Sequence, residues 1–367
     1  MTFSKQEKKY MKKALALAGK GLGKVSPNPM VGAIVVKNDK IVGRGYHKSY
    51  GKPHAEVNAL ADAGDNAKGA TIYVSLEPCN HYGKTPPCTE QIIKAGITKV
   101  VYAIDDPNPI MNECTGRQAL EQAGIEVVSG LLENEAKRIN EKFLKYIQTK
   151  RPYITLKMAS TINGKIADRV GHSKWISNSK SREKVQFLRY SHDAIMVGIG
   201  TVLMDNPSLT VRYQDKKKDI TKIIMDKNVD IPINAKLFES KDKVIIVSNR
   251  KLMNSQKVKE LQKNGTDFIF SDVSAGIFDI DFVLEQFADR RIASVLVEGG
   301  SKLANSFLTA GIIDKMFLFL APKIIADNKA IPVFYSDAEQ LIENTTQLNL
   351  ISVEHLGDDL LVEYNLR

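Results

Sequence analysis

His54-Ala55-Glu56-Val57-Asn58-Ala59-Leu60-Ala61-Asp62-Ala63-Gly64, then Thr71-Ile72-Tyr73-Val74-Ser75, then Glu77-Pro78-Cys79 and, after eight intervening residues, Cys88: these segments decide how the first half of the chain folds. The first predicts a helix stopped by glycine and the second a strand that runs into a cysteine loop. A second helix over 89–95, ended by Gly96, and a strand over 99–104 follow. Strand and helix alternate, as in an α/β layer fold.

The same residues carry a metal site. His54, Cys79 and Cys88 supply three zinc ligands, which leaves a fourth position for water, and zinc lowers the pKa of that water to about 7. Glu56 lies two residues beyond the histidine, close enough to pass protons without being a ligand. A histidine, two cysteines and a non-ligand glutamate are the pattern of zinc-dependent base deaminases. His81 is the tempting fourth ligand. It would close the water position, so its role is loop packing or substrate contact. Both helix starts aim their positive ends at the metal loop, which favours thiolate.

Working outward, Ser4 and Glu7 form a capping-box pattern ahead of an amphipathic helix in which Tyr10, Ala14 and Leu17 share a face. After the Ser26-Pro27-Asn28-Pro29 turn, strands over 31–36 and 41–46 form a hairpin across 37–40. A strand over 125–128 closes the first sheet, and one charged helix is expected over 133–147. The polar stretch 148–152 reads as a boundary, giving domains 1–148 and 149–367.

A second alternating pattern begins at Tyr153–Met158, with strands near 194–197, 223–225, 244–247 and 295–297. Val197-Gly198-Ile199-Gly200-Thr201 and Val297-Glu298-Gly299-Gly300-Ser301 both put glycines between a strand and a helix, where backbone amides cradle phosphate. Leu203 stands where a dinucleotide fingerprint has its third glycine, so each turn alone reads as a tight turn. Two in one domain point to nucleotide binding.

At 367 residues the chain is long enough for two domains, and its net charge of +10 comes from dispersed lysines with no aromatic interleaving. That suits a phosphorylated small substrate and not nucleic acid. Three cysteines, two of them at the proposed site, argue against a disulfide framework and for a reducing cytoplasm. No stretch approaches the roughly 20 apolar residues of a membrane span.

The assembled motifs resemble, over nearly the whole chain, the bifunctional bacterial riboflavin-biosynthesis enzymes that join a pyrimidine deaminase to a reductase. In the first half the resemblance rests on Pro27 to Gly32, His54-Ala55-Glu56, Glu77 to Cys88 and Asp105 to Pro109. Nucleoside and transfer-RNA deaminases usually separate their cysteines by only two residues. In the second half it rests on Leu156 to Ser160, Ser173 to Ile176, Thr201 to Pro207, Leu209 to Arg212 and Glu298 to Gly300. The chain departs from the family at Asn163, His172, Ile325-Ala326-Asp327 and Ile110 to Arg117.

This resemblance implies a cytidine-deaminase-like three-layer domain followed by a dihydrofolate-reductase-like domain. The first would deaminate a phosphoribosylaminopyrimidine at zinc, with Glu56 as proton shuttle and Asn28, His47, Lys84, Asp106 and Asn108 holding the substrate. The second would take hydride from NADPH to turn the ribose into a ribityl chain. There, Ser173, Arg189, Leu209, Arg212 and Glu298 match substrate positions. Ala159, Trp175, Thr201, Asp205, Gly300 and Ser301 match cofactor positions, joined by Lys157 as a polar participant near the reacting sugar. A homo-oligomer is expected.

Overall fold

The first helix, α1 (Lys5–Ala18), starts on the expected capping box: Ser4 Oγ accepts the Glu7 N–H at 3.1 Å and Glu7 Oε2 accepts the Ser4 N–H at 2.9 Å. It packs on β1 (Gly32–Lys37), which pairs antiparallel with β2 (Lys40–Tyr46). Two glycines show how the layers stack. A Cβ on Gly32 would lie 2.0 Å from the Ala14 carbonyl oxygen of α1, and one on Gly45 would lie 2.2 Å from the Ala55 carbonyl oxygen of α2 (Ala55–Ala63). Gly32 pairs with Tyr46, whereas Gly45 pairs with Ala33, so the two glycines face opposite sides of the sheet. Helices therefore cover both faces, and this unit has three layers.

The sheet continues through β3 (Thr71–Val74), β4 (Lys99–Tyr102) and β5 (Glu126–Val128), in the order β2-β1-β3-β4-β5. Helices α3 (Cys88–Lys94) and α4 (Gly116–Gln122) make the parallel crossovers from β3 to β4 and from β4 to β5. The single helix expected over 133–147 is instead two, α5 (Glu133–Ile139) and α6 (Glu141–Thr149). Asn140 breaks the run because its amide pairs with the backbone of Met30: Oδ1 accepts the Met30 N–H at 2.8 Å and Nδ2 donates to the Met30 carbonyl at 3.0 Å.

The computed structural model describes residues 3–82, 86–108, 114–216, 218–274, 276–336, 339 and 341–366. It divides into two compact units, Met1–Lys150 and Arg151–Arg367. That division falls two residues beyond the expected boundary, because α6 runs through Thr149 and Lys150 closes it in a left-handed conformation.

The second unit is built on a nine-stranded sheet. Its parallel part holds β6 (Tyr153–Thr161), β8 (Ala194–Gly198), β9 (Thr221–Met225), β10 (Val244–Asn249), β11 (Asp267–Ser271), β14 (Ser294–Glu298) and β15 (Lys315–Ala321). Two long antiparallel strands, β17 (Leu348–Leu356) and β18 (Asp359–Leu366), complete one edge, giving the order β11-β10-β9-β8-β14-β6-β15-β18-β17. The small strands β7 (Lys165–Ala167) and β16 (Ile331–Pro332) pair beside it, and β12 (Val273–Ser274) pairs with β13 (Ile277–Phe278).

Helix α9 (Gln256–Lys263) links β10 to β11, and along β14, Val295 and Val297 join one core with Phe287 of α10 (Ile280–Asp289) and Phe307 of α11 (Ser301–Thr309). Leu296 joins another with Val185 and Leu188 of α7 (Ser179–Tyr190). Burial on both faces explains the unbroken apolar runs of the central strands. Among the described residues no helix is long and apolar enough to cross a membrane.

Candidate active site

His54 is the N-cap of α2 with extended backbone and makes no capping bond, so its imidazole is free to turn toward the loop after β3. Cys79 lies on that loop, and Cys88 opens α3. The ligand atoms of His54, Cys79 and Cys88 all lie within 4.8 Å of one another. His54 Nδ1 is 3.3 Å from Cys88 Sγ and 3.5 Å from Cys79 Sγ, and the Cys88 N–H donates to Cys79 Sγ at 3.4 Å.

Glu56, in the first turn of α2, is 3 % exposed, and its Oε2 has no hydrogen-bond partner among the described residues. A buried carboxylate oxygen left bare is costly unless something else enters the site. One nitrogen and two sulfurs suit zinc with an open position, and the bare oxygen beside them suits a water there. The residues fit the metal.

The electrostatics agree. Donation from Cys88, helped by His54, holds the Cys79 thiol far below its usual range, whereas Cys88 is pushed well above by that donation and by burial. The bond with Cys79 raises His54 to about 9. Burial lifts Glu56 to about 7, against the pull of His54, which poises it to gain and lose a proton near neutrality.

A cavity of about 280 Å³ opens on this cluster, with Asn28, His47, Asp106 and Asn108 in its walls. His47 Nδ1 faces the Pro53 carbonyl at 3.2 Å, so it carries the proton. Nε2 is then the acceptor for Asn28 Nδ2 at 3.3 Å. Burial lowers the His47 pKa, in keeping with that neutral ring. Burial also raises Asp106 to about 6, and its Oδ1 accepts the Asn108 N–H at 3.0 Å. Lys84 lies outside the described residues. Sequence reasoning missed the far wall: Phe143, Tyr146 and Ile147 of α6, with Tyr50 and Lys52 on the loop before His54. The α6 residues recur at helical spacing and read as ordinary core.

In the second unit, the two glycine turns meet. β8 and β14 are neighbours, and Thr201 Oγ1, in α8 (Ile199–Asp205), lies 3.5 Å from where a Cβ of Gly299 would stand and 3.6 Å from that of Gly300. Both glycines have positive φ. Ser301 opens α11 with a buried Oγ that has no partner among the described residues. Bare backbone, two helix starts and an orphaned hydroxyl at the carboxyl ends of parallel strands fit a nucleotide.

Beside this crevice Arg189 holds Glu298 through two bonds of 2.6 and 2.9 Å and donates to the Thr210 carbonyl at 3.1 Å. Lys157 stands opposite Glu298 in the β6–β14 ladder, with its ammonium 5.9 Å from the Phe319 ring. Burial lowers its pKa and Arg189 adds to that, while Glu298 opposes. Ala159 pairs with Phe319 in the next ladder. Leu209 is buried with a left-handed backbone, and the exposed Arg212 donates its N–H to Gln186 Oε1 at 2.7 Å. Ser173 Oγ reaches Asp205 Oδ1 only at 3.5 Å. Trp175 is 66 % exposed, with the Arg182 guanidinium 4.6 Å from its ring and Lys323 Nζ on its carbonyl at 2.6 Å.

Of the departures noted in the sequence, residues 110–113 lie outside the described residues, and those at Asn163, His172 and Ile325-Ala326-Asp327 lie in the second unit. The Asn163 amide donates to the Ile325 carbonyl at 3.0 Å and accepts the Ile325 N–H at 3.3 Å, a reciprocal pairing aspartate cannot make. Arg169 clasps Asp327 at 2.6 and 2.8 Å, and His172 faces Asp168 at 3.3 Å.

Comparison with known proteins covers both units. Residues 4–104 match the cytidine and deoxycytidylate deaminase zinc-binding region, and residues 152–362 match the RibD C-terminal domain. The chain is 44 % identical over 356 residues to riboflavin biosynthesis protein RibD of Aquifex aeolicus, covering 97 % of each chain. To the Escherichia coli RibD it is 36 % identical, covering 97 % of this chain and 98 % of that one. Among solved structures, Acinetobacter baumannii RibD superposes with a TM-score of 0.89 at 36 % identity, over 99 % of both chains. A diaminohydroxyphosphoribosylaminopyrimidine deaminase/5-amino-6-(5-phosphoribosylamino)uracil reductase from Thermotoga maritima does so with 0.88 at 38 %, again over 99 % of both.

Proposed function

This chain belongs to the RibD family of riboflavin-biosynthesis deaminase/reductases, and we propose from that premise which of its residues perform each reaction. It is both a zinc-dependent hydrolase and an NADPH-dependent oxidoreductase. The deaminase substrate is diaminohydroxyphosphoribosylaminopyrimidine, and the reduced product is 5-amino-6-(5-phosphoribitylamino)uracil. The first unit, Met1–Lys150, carries the deaminase and the second, Arg151–Arg367, the reductase.

His54, Cys79 and Cys88 would hold zinc, which when bound would supply an activated water. Glu56 is the group placed to accept a proton and return it to the departing amino nitrogen, a shuttle its near-neutral pKa supports. Asn28 and the neutral His47 orient the substrate, Asp106 and Asn108 hold its other edge, and Lys84 serves its phosphate. The bare Glu56 oxygen beside the His54–Cys79–Cys88 cluster is the observation that carries this reading.

In the second reaction NADPH supplies the hydride. Trp175, Thr201, Asp205, Gly300 and Ser301 hold the cofactor beside Ala159. Arg189, Glu298, Ser173, Leu209 and Arg212 position the sugar phosphate, and Lys157 offers a proton donor as the ribose opens. Arginine suits the phosphate because its donors are forked and its charge is permanent.

We also place the protein in the cytoplasm, where the thiols of Cys79 and Cys88 stay reduced, and read it as a homo-oligomer. Exposed Leu350 and Val353 on the edge strand β17 support self-association. Incubating the purified protein with the pyrimidine substrate, with and without NADPH, tests both halves. Ammonia is expected in either case and cofactor oxidation only with NADPH; no ammonia from zinc-loaded protein rejects the reading.

A further inference from the structure

Glu77 directly precedes Pro78 and the ligand Cys79, and its carboxylate is taken up by two backbone N–H groups. It is 5 % exposed. Oε2 accepts the N–H of Asp106 at 3.1 Å, and Oε1 accepts the N–H of Arg117, in α4, at 2.8 Å. These donors stand 29 and 40 residues away in sequence. Its own N–H donates to the Ile104 carbonyl at 2.9 Å. One carboxylate thus ties together the cysteine loop, the Asp105–Asn108 loop in the cavity wall, and the start of α4.

The surroundings make this seat specific. A Cβ on Gly116 would lie 1.9 Å from the Pro78 carbonyl oxygen and 3.3 Å from Glu77 Cγ, so α4 is pressed directly onto the cysteine loop. Asn80, on the other side of Cys79, donates to the Cys114 carbonyl at 3.1 Å and accepts from Thr89 Oγ1 at 2.8 Å. Arg117 turns its side chain the other way, donating to the Tyr102 hydroxyl at 3.1 Å, and that hydroxyl donates to Asp105 Oδ1 at 2.7 Å. Asp105 is thereby fixed by its side chain and Asp106 by its amide.

We propose that Glu77 is a positioning residue for deamination, whose two carboxylate oxygens set Asp106 and Asn108 at the distance from the metal cluster that the substrate requires. The proposal rests on the deaminase reading of this cavity. Two N–H groups arriving from separate segments need two acceptors on one side chain, and only a carboxylate gives both. Glutamine keeps the shape but offers one oxygen, and its NH₂ would confront the second N–H. Among the described residues no hydrogen bond joins the Glu77 carboxylate to Glu56 or to a metal ligand, so loss of the clamp acts on substrate binding and not on the proton shuttle.

The test compares zinc-loaded wild type with Glu77→Gln, Asp106→Ala and the double variant, measuring ammonia-release kinetics and zinc content. Glu77→Gln is expected to raise KM about tenfold, to leave kcat within about twofold, and to keep a full complement of zinc. In the Asp106→Ala background the same substitution is expected to change KM by less than about twofold, since its effect runs through that loop. An unchanged KM, a fall in kcat together with zinc loss, or full additivity of the two substitutions overturns the proposal. A wild type that releases no ammonia rejects the deaminase reading itself, and so the two failures are distinguishable.

Discussion

Arg189 and Glu298 form a two-bond ion pair, 2.6 and 2.9 Å long, whose side chains are only 14 % and 9 % exposed. Burial disfavours both charges, but each is held ionised by the other: Glu298 falls below its usual range and Arg189 rises above. A pair this enclosed is weak evidence for stability as a unit, yet removing one partner strands a charge. Arg189→Ala or Glu298→Ala is expected to cost about 3–5 kcal/mol. Replacing both by leucine and methionine is expected to cost much less. Hydrogen-exchange protection of the β14 amides measures this, and a double variant as unstable as the singles would show that the pair itself stabilises the sheet. All three variants should lose reductase turnover.

Glu56→Gln separates metal binding from proton transfer. Glutamine fills the same volume, leaves His54, Cys79 and Cys88 untouched, and cannot exchange a proton near neutrality. Zinc content should stay at the wild-type level while ammonia release falls by about 10²–10⁴-fold, the range for losing a positioned acid–base group. Deamination at the wild-type rate would remove Glu56 from its role, and loss of zinc would make it a structural support of the site.

Much of this site was legible because chemistry restricts the residue types. A zinc ligand must be histidine, cysteine or carboxylate, so His54, Cys79 and Cys88 stand out at their spacing. Glu77 and Asn140 do not. Glu77 answers backbone amides 29 and 40 residues away, and Asn140 answers Met30 at 110 residues, so no local pattern encodes either role. Phe143, Tyr146 and Ile147 look like the buried stripe of any amphipathic helix, and only the fold shows that they wall a cavity. The antiparallel strands β17 and β18 escaped because β17 exposes Leu350, Ile351 and Val353 across a register shift that blurs the two-residue alternation. In the second half, Arg189 reads as a solvated helix residue until Glu298 is placed beside it, and so its role came from resemblance alone.

Metal loading should be strongly pH-dependent. Without metal, Cys79 is already a thiolate at neutral pH, whereas His54, raised to about 9, and Cys88, raised above its usual value, both hold protons. Binding zinc needs a neutral imidazole and two thiolates, so two protons must leave. Below pH 9 affinity therefore rises with pH, by about a hundredfold per unit where both protons are displaced. Titration calorimetry in buffers of different ionisation enthalpy counts them. A release near two at pH 7.5 is expected; a release near zero would mean that the cluster is pre-ionised.

Trp175 is the only tryptophan in the chain, and it is exposed in the segment matched to the cofactor site. Its backbone carbonyl is pinned by Lys323, and the Arg182 guanidinium lies over its ring, so the indole is held in place without being buried. An aromatic side chain fixed in that way offers a stacking surface at little entropic cost. If a ring of NADPH stacks there, titration with the cofactor quenches all of the tryptophan fluorescence of the protein. Removing the indole should cost about 0.5–1.5 kcal/mol, which is roughly two- to tenfold in affinity. Trp175→Phe, which keeps part of the surface, should lie at the low end of that range and Trp175→Ala at the high end. Deaminase kinetics should be unchanged in both. Saturable cofactor binding with no change in the wild-type fluorescence, or equal affinity in all three proteins, would place the cofactor away from Trp175 and leave the indole as part of the surface.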